Sequence, residues 1–459
     1  MAPSEPAALR TGRARAQRGV ERALARVVTL TERGRRAEGD LIGAKEAMDA
    51  GRWQDAARGW IGARRHPLPT VRATADLMLG LVLTDHLGQP DHGMHALDSA
   101  WRSNRPGVAD AAAWRLAELN AERGDGARAH RFYDWTWRNG RSALRWKAAA
   151  ALIRLLRAEG DDAGATRLFA SVDRAAAAAN SAEGWATLAT LCRQQGDLDR
   201  AEAGYRAALD AGAGDAAALH GLLGLVLSRQ GRSAAALPEL EVAVAGDTTG
   251  RIWFQYELGK VQERLGHRDQ ACDAYSDVLQ VTDDELSRLQ EQDEPGRDTV
   301  IRSDPRPRAA IRLGRLRESM GEVDAARDAL AYATDHGTTS VAAAAWLARA
   351  RLERRVGDRS AARAGYANAI HVKGGAYPAA ELGLAQLLIV ANQSAAAQQI
   401  LDRLVGCGDQ RIASLAAVQR GELLSALGDT AAARASYEAA LAGPLSAGVR
   451  ARVEQALSR

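Results

Sequence analysis

Gly51, Gly88, Gly124, Gly160, Gly196, Gly231, Gly266, Gly321, Gly357 and Gly428 recur along the chain at steps of 35 to 37 residues, broken once by a step of 55. Asn392 takes the glycine's place between the last two. Around Gly266 the sequence reads ELGKVQERLGHRDQACDAY, with Leu258 and Gly259 before the turn and Ala271 and Tyr275 after it. Each copy holds an apolar-periodic segment of about 14 residues, a glycine-centred break and a second such segment, which reads as a helical hairpin. A glycine there ends the first helix because it takes the left-handed backbone conformation without a Cβ clash, and asparagine is the side chain that tolerates it next best. Asp follows the glycine at 125, 161, 197, 358 and 429, where it can cap the second helix. A unit of this size cannot bury its apolar face alone, so consecutive hairpins must share one hydrophobic spine. The fold class expected is therefore all-α, an α-solenoid of about eleven antiparallel hairpins.

The clearest copies are Trp185, Leu188, Ala189, Ala201, Tyr205 and Ala208, then Leu223, Gly224, Leu227, Ala236, Leu240 and Ala243, then residues 258–278. In these the chain resembles the tetratricopeptide repeat, whose pattern is W-x2-L-G-x2-Y followed by A-x3-F. It departs from that pattern at Cys192, which stands where a first-helix aromatic is expected, and in mostly lacking the closing proline. Small residues at Ala189, Gly224, Gly259 and Gly314 let paired helices approach, and Trp60, Tyr133, Phe169, Tyr205, Tyr275, Tyr366 and Tyr437 fill the space toward the next hairpin. The resemblance implies a right-handed superhelix with an inner groove lined by the first helices. The family's groove positions fall on Lys147, Arg154, Arg157, Arg193, Arg229, Lys260, Arg264, Arg315, Arg351, Arg354 and Arg355, interrupted by acids such as Glu263 and Glu318. Arginine suits bidentate recognition of carboxylate or phosphate. The carboxylate clamp of some relatives is not expected, because it needs groove asparagines and none of the six Asn lies there.

Charge divides the chain. Residues 1–36 carry nine Arg against three Glu, while the whole chain is only +4, so a basic arm precedes a nearly neutral body. Within the arm, residues 1–12 read as disordered and 17–31 as a capping helix with Val20, Leu24, Val27 and Thr31 on one face. The array then runs over 37–280 and 309–444, with a polar capping helix over 445–459. The one long interval holds a polar insertion, 281–308, whose first part has seven acids and two bases over 281–298 before a Pro/Arg stretch. It reads either as a solvated excursion or as a docking loop or joint between two sub-arrays. Cys192, Cys272 and Cys407 have no paired spacing, there is no secretory h-region, and no apolar run is long enough to span a bilayer, so a cytoplasmic protein is expected.

Enzymatic signatures are missing: there is no phosphate-binding glycine-lysine loop, no dinucleotide fingerprint and no nucleophile elbow. Cys192 and Cys272 fall at core-facing repeat positions and read as small hydrophobes. His86, Asp91, His92 and His95 are the best metal candidates, with packing or surface roles as the alternative. Seven of the ten Trp lie at or before Trp146, and Trp101, Trp135 and Trp137 could form a ligand-facing aromatic patch or pack between irregular repeats. The reading expected is a non-catalytic interaction scaffold without a cofactor, a monomer or weak dimer, whose basic groove takes an acidic peptide or protein segment. The stretch WFQYELGKVQERLG (253–266) is similar to repeat modules that accompany glycosyltransferases of cell-surface polymer assembly in high-GC bacteria. That gives a second reading, with an anionic glycan as partner. Nonspecific, salt-sensitive single-stranded nucleic-acid binding is a third.

Overall fold

The computed structural model describes residues 32–66, 68–140, 143–212, 214–246, 250–292, 303–375 and 377–458. Among these there are 24 helices and no strand. The basic arm's segments 1–12 and 17–31 lie outside the described residues. The helices form two compact units, Met1–Glu257 with Asp283–Ser303 and Leu258–Thr282 with Asp304–Arg459.

The first unit is built of six hairpins. They are α1 (Glu32–Asp49) with α2 (Trp53–Ala63), α3 (Pro69–Asp85) with α4 (Pro90–Arg102), and α5 (Val108–Glu122) with α6 (Gly126–Asn139). There follow α7 (Leu144–Ala158) with α8 (Asp162–Ala179), α9 (Ala182–Gln194) with α10 (Leu198–Asp210), and α11 (Ala216–Arg229) with α12 (Ser233–Ala245). The boundary between the units runs within α13 (Arg251–Leu265), which is followed by α14 (Arg268–Gln280). The insertion contributes a short helix to the first unit, α15 (Asp283–Gln292). The second unit continues with α16 (Arg306–Met320) and α17 (Val323–His336), α18 (Thr339–Val356) and α19 (Arg359–Val372), α20 (Pro378–Val390) and α21 (Ser394–Val405), and α22 (Gln410–Ala426) and α23 (Thr430–Leu441). It closes with α24 (Ala447–Leu457), which buries only Val453 on its neighbours, as a terminal cap should.

Local chemistry accounts for the hairpins. All ten anchor glycines have positive φ, Gly266 at 83° for example, and Asn392 follows at 55°. The five Asp residues behind these turns all cap the next helix. Asp125, Asp161, Asp197, Asp358 and Asp429 accept hydrogen bonds from the backbone N–H of Arg128, Gly164, Arg200, Ala361 and Ala432 at 2.7 to 3.2 Å. Each carboxylate satisfies a donor that the first turn of a helix leaves open and opposes the helix dipole.

Packing then fixes the spacing. Trp60, Tyr205, Tyr275 and Tyr366 are fully buried, and Tyr133 and Tyr437 nearly so. A Cβ on Gly259 would stand 2.6 Å from the Tyr275 ring, and one on Gly421 2.5 Å from that of Tyr437. The ring of the second helix therefore lies directly on the backbone of the first. Cys192 is buried and Cys272 half-buried, and burial raises both thiol pKa values, Cys192 to about 11.

In the second unit α14 packs directly on α16, so the array passes over the insertion. Buried Arg306 fastens its base. The guanidinium donates to the Val281 carbonyl oxygen at 2.9 Å and makes a forked pair with Asp304, 2.9 Å at the closest.

Replacing Asp358 by Ala removes the cap of α19 and is expected to cost about 1 kcal/mol of stability, with Asp358→Asn retaining most of it. Urea unfolding followed by far-UV circular dichroism measures this, and an Ala variant with an unmoved midpoint would contradict the capping role.

Candidate functional site

Lys260, Arg315 and Arg351 each stand six residues before a turn glycine, on three successive first helices of the second unit. Arg312 joins Arg315 on the same face of α16, one turn away, and Arg354 joins Arg351 on α18 in the same way. These cations meet different fates. Arg312 donates to Glu263 Oε2 at 2.9 Å, and the same oxygen accepts from the Tyr275 hydroxyl at 2.9 Å. Arg354 donates to Gln386 on α20, and Arg355 is ion-paired with Glu318 at 3.3 Å. Arg264 turns back to the Lys260 carbonyl oxygen of its own helix at 3.3 Å. Arg315 and Arg351 alone of this group have neither an ion pair nor a hydrogen bond among the described residues.

Electrostatics reinforce that difference. Desolvation, then the charges of Arg351 and Arg312, hold the Arg315 guanidinium below its ordinary pKa, against weaker support from Tyr377 and Glu263. Tyr366, buried under the same patch, has its hydroxyl pushed up by burial, while the Arg354 and Arg351 charges pull it down. Arg351 and Arg312 thus add positive charge around Arg315, on a face where Arg315, Arg351 and Arg354 are all exposed. A carboxylate or phosphate placed between Arg315 and Arg351 would relieve it.

The first unit treats its groove charges otherwise. Arg115 holds Asp85 at 2.6 Å, Glu118 at 3.2 Å and Glu122 at 3.5 Å, so the cation is compensated threefold. Burial raises the Glu118 pKa against the attraction of Arg115, and burial with Glu118 nearby pushes the Tyr133 hydroxyl to about 12. Arg154 lies beside Tyr133 with its pKa lowered by desolvation, Lys147 and Arg157 are half-buried, and Arg229 is exposed at the end of α11. Arg193 does not line a groove at all. It is 2% exposed, and its Nε donates to the Tyr205 hydroxyl at 3.3 Å. The repeat register places it at a groove position, but the tyrosine hydroxyl draws the guanidinium inward.

The tryptophans are tied into the core of the first unit. Trp137 is buried, and Trp101 and Trp135 are half-buried, with Trp101 edge-on to Phe132 at 5.1 Å and to Trp135 at 6.0 Å. Arg131 lies over the Trp101 ring and Arg145 over that of Trp137, at 5.4 and 4.5 Å. The histidine candidates are dispersed in the same way. His86 stacks on Trp53 with centroids 3.4 Å apart, Asp91 pairs with Arg123 at 2.9 Å, and His92 and His95 are exposed on α4. No group of three or more His, Cys, Asp or Glu among the described residues is placed to hold a metal ion. Arg312 and Tyr377 complete the second unit's cluster without having been singled out in the sequence. The only local trace of Arg312 is its three-residue spacing from Arg315.

No curated protein has a sequence that matches this chain. Solved structures similar to it include a tetratricopeptide repeat protein from Parabacteroides merdae, 19% identical over 60% of this chain and 97% of that one, with a TM-score of 0.42. The C-terminal part of a repeat-containing protein from Cytophaga hutchinsonii is 12% identical over 57% of this chain and 96% of that one, at 0.43. Yeast Tom70 is 12% identical over 93% and 96%, at 0.41. Residues 305–457 match the family model of the tetratricopeptide repeat-like domain. That region is a tetratricopeptide repeat-like domain, and its turn glycines, Asp caps and ring-on-glycine packing recur in the hairpins before it.

Proposed function

We propose that the chain is a non-catalytic interaction scaffold, and that the second unit binds an acidic segment of a partner protein across Arg312, Arg315 and Arg351. The observation that carries this is the pair Arg315 and Arg351: two exposed guanidinium groups close enough to repel, with no carboxylate of the described residues against either. Nearby acids are already engaged, Glu263 by Arg312 and Tyr275, and Glu318 by Arg355. First helices packed roughly 10 Å apart would match side chains three residues apart on an extended peptide, at about 3.3 Å per residue. The expected ligand is therefore an extended stretch with Asp or Glu at every third position. Tyr377, half-buried, borders the patch and supplies an apolar edge beside the charges. The three cysteines are free, which fits a reducing, cytoplasmic setting, and among the described residues no helix is long and apolar enough to cross a membrane.

The test is fluorescence anisotropy with a labelled peptide of that spacing, with oligo(dT) and an anionic polysaccharide as competitors. Arg315→Glu with Arg351→Glu is expected to weaken peptide binding at least about tenfold, or 1.4 kcal/mol, with helix content unchanged. Undiminished binding in the double variant would sink the reading, and so would tighter binding of either competitor than of the peptide.

Arg351→Gln separates binding from folding. Removing one of two repelling charges is expected to leave the thermal midpoint unchanged or raised while peptide binding weakens. A lowered midpoint would show that Arg351 is held for stability.

A further inference from the structure

The groove column of the second unit changes sign along its length. Arg315 and Arg351 stand six residues before Gly321 and Gly357, Gln386 stands six before Asn392, and Glu422 six before Gly428. Their helices α16, α18, α20 and α22 touch in succession, so one repeat register presents cation, cation, amide and carboxylate in that order. Glu422 is exposed and has neither an ion pair nor a hydrogen bond among the described residues. Its charge is felt beneath it, where burial and then Glu422 raise the pKa of the Tyr437 hydroxyl. The nearest cation on its own helix, Arg420, serves the outer wall instead. It is paired with Asp402 of α21 at 2.5 Å and donates to the Ser436 hydroxyl of α23 at 2.9 Å. One turn before Glu422, half-buried Gln419 has an Oε1 shut away from water with no donor against it among the described residues. Gln386 already accepts from Arg354.

An unbroken run of acids laid along this column would meet attraction at α16 and α18 and repulsion at α22. Repeats at equal steps would also let such a run slip by one hairpin, because each new seating offers the same kind of contact. A ligand that changes sign where the column does avoids both problems. Building on the acidic-segment reading of the same groove, we propose that the bound segment is dipolar, with two acidic residues at Arg315 and Arg351 and a lysine or arginine at Glu422. Helix spacings of roughly 10 Å place α22 about 20 Å beyond α18, which an extended chain covers in about six residues at about 3.3 Å each. The pattern is thus two acids three residues apart with a base six residues beyond them, in one chain direction or the other. A lysine ammonium has three donors. They suffice for the Glu422 carboxylate and, with the amide turned outward, for Gln419 Oε1, which has no hydrogen bond to lose there. Opposite charges at the two ends set register and direction more than they set affinity. A slip by one hairpin either way takes the base away from Glu422, so a single seating is favoured.

Fluorescence anisotropy on the full-length chain tests this. The labelled peptides carry two aspartates three residues apart and, six residues beyond, either lysine or glutamate, each made in both chain orders. In one order the lysine peptide is expected to bind about fivefold more tightly than its glutamate counterpart, the size of one exposed charge pair. Glu422→Arg should invert that preference and Glu422→Gln should abolish it. The side chain is exposed, so far-UV circular dichroism should be the same in both variants as in the wild type. Equal binding of lysine and glutamate peptides in both orders overturns the proposal, as does a lysine preference that Glu422→Arg leaves in place. Arg315→Glu with Arg351→Glu keeps the two readings apart. If that double variant weakens every peptide while lysine and glutamate are bound alike, the acidic-segment site stands and its dipolar extension falls. If it weakens none of them, the site and the extension fall together.

Discussion

An aromatic ring of the second helix rests on a glycine of the first, and the rest of the structure is arranged around that contact. At Gly259 and Tyr275, and again at Gly421 and Tyr437, the ring occupies space that any Cβ would enter. The contact sets how near the two helices of a hairpin lie, and so where side chains on the outer turns of the first helix can reach. Tyr366 extends the same device across a hairpin boundary, since its ring covers Gly383 of the following first helix. Hairpin is thereby locked to hairpin, and the positions six residues before each turn are brought into register. A column of like charges can arise only because the backbone beneath it repeats so closely.

That register has an electrostatic cost which the two units meet differently. In the first unit Arg115 is met by Asp85 of a neighbouring first helix and by Glu118 and Glu122 of its own. Around Arg315 and Arg351 the available acids are diverted, Glu263 to Arg312 and Tyr275, and Glu318 to Arg355. Ion pairs at the surface contribute little to stability, so their loss at two positions is tolerable to the fold. Like charges around Arg315 do not stabilise the fold, and the proposed acidic ligand would offset them.

Much of the fold was legible because it is written in short-range chemistry. A positive-φ glycine, an Asp one residue later and apolar positions at helical spacing act within a single turn. Gly266, Asp358 and the buried Tyr275 all stand where those local rules put them. The site was less legible because its charge state is decided by residues far off in sequence. Glu263 and Arg312 are 49 residues apart, and Asp85 and Arg115 are 30 apart. No periodic reading foretells which cation keeps a free face. Arg193 illustrates the limit: its register is that of a groove residue, but the hydroxyl of Tyr205, twelve positions on, holds it in the core.

The insertion shows how a repeat array tolerates a break in its own period. Stacking requires only that α14 meet α16, and it makes no demand on the chain that joins them. Loop-closure entropy grows slowly with length, so about 20 added residues cost little once their ends are held together. Arg306 supplies that hold by gripping Val281 on one side of the excursion and Asp304 on the other. A buried guanidinium is costly unless its donors are matched, and here they are matched by the two strands of chain that must be joined. The residue that closes the insertion is therefore the one whose burial the insertion makes affordable, so excursion and anchor depend on each other.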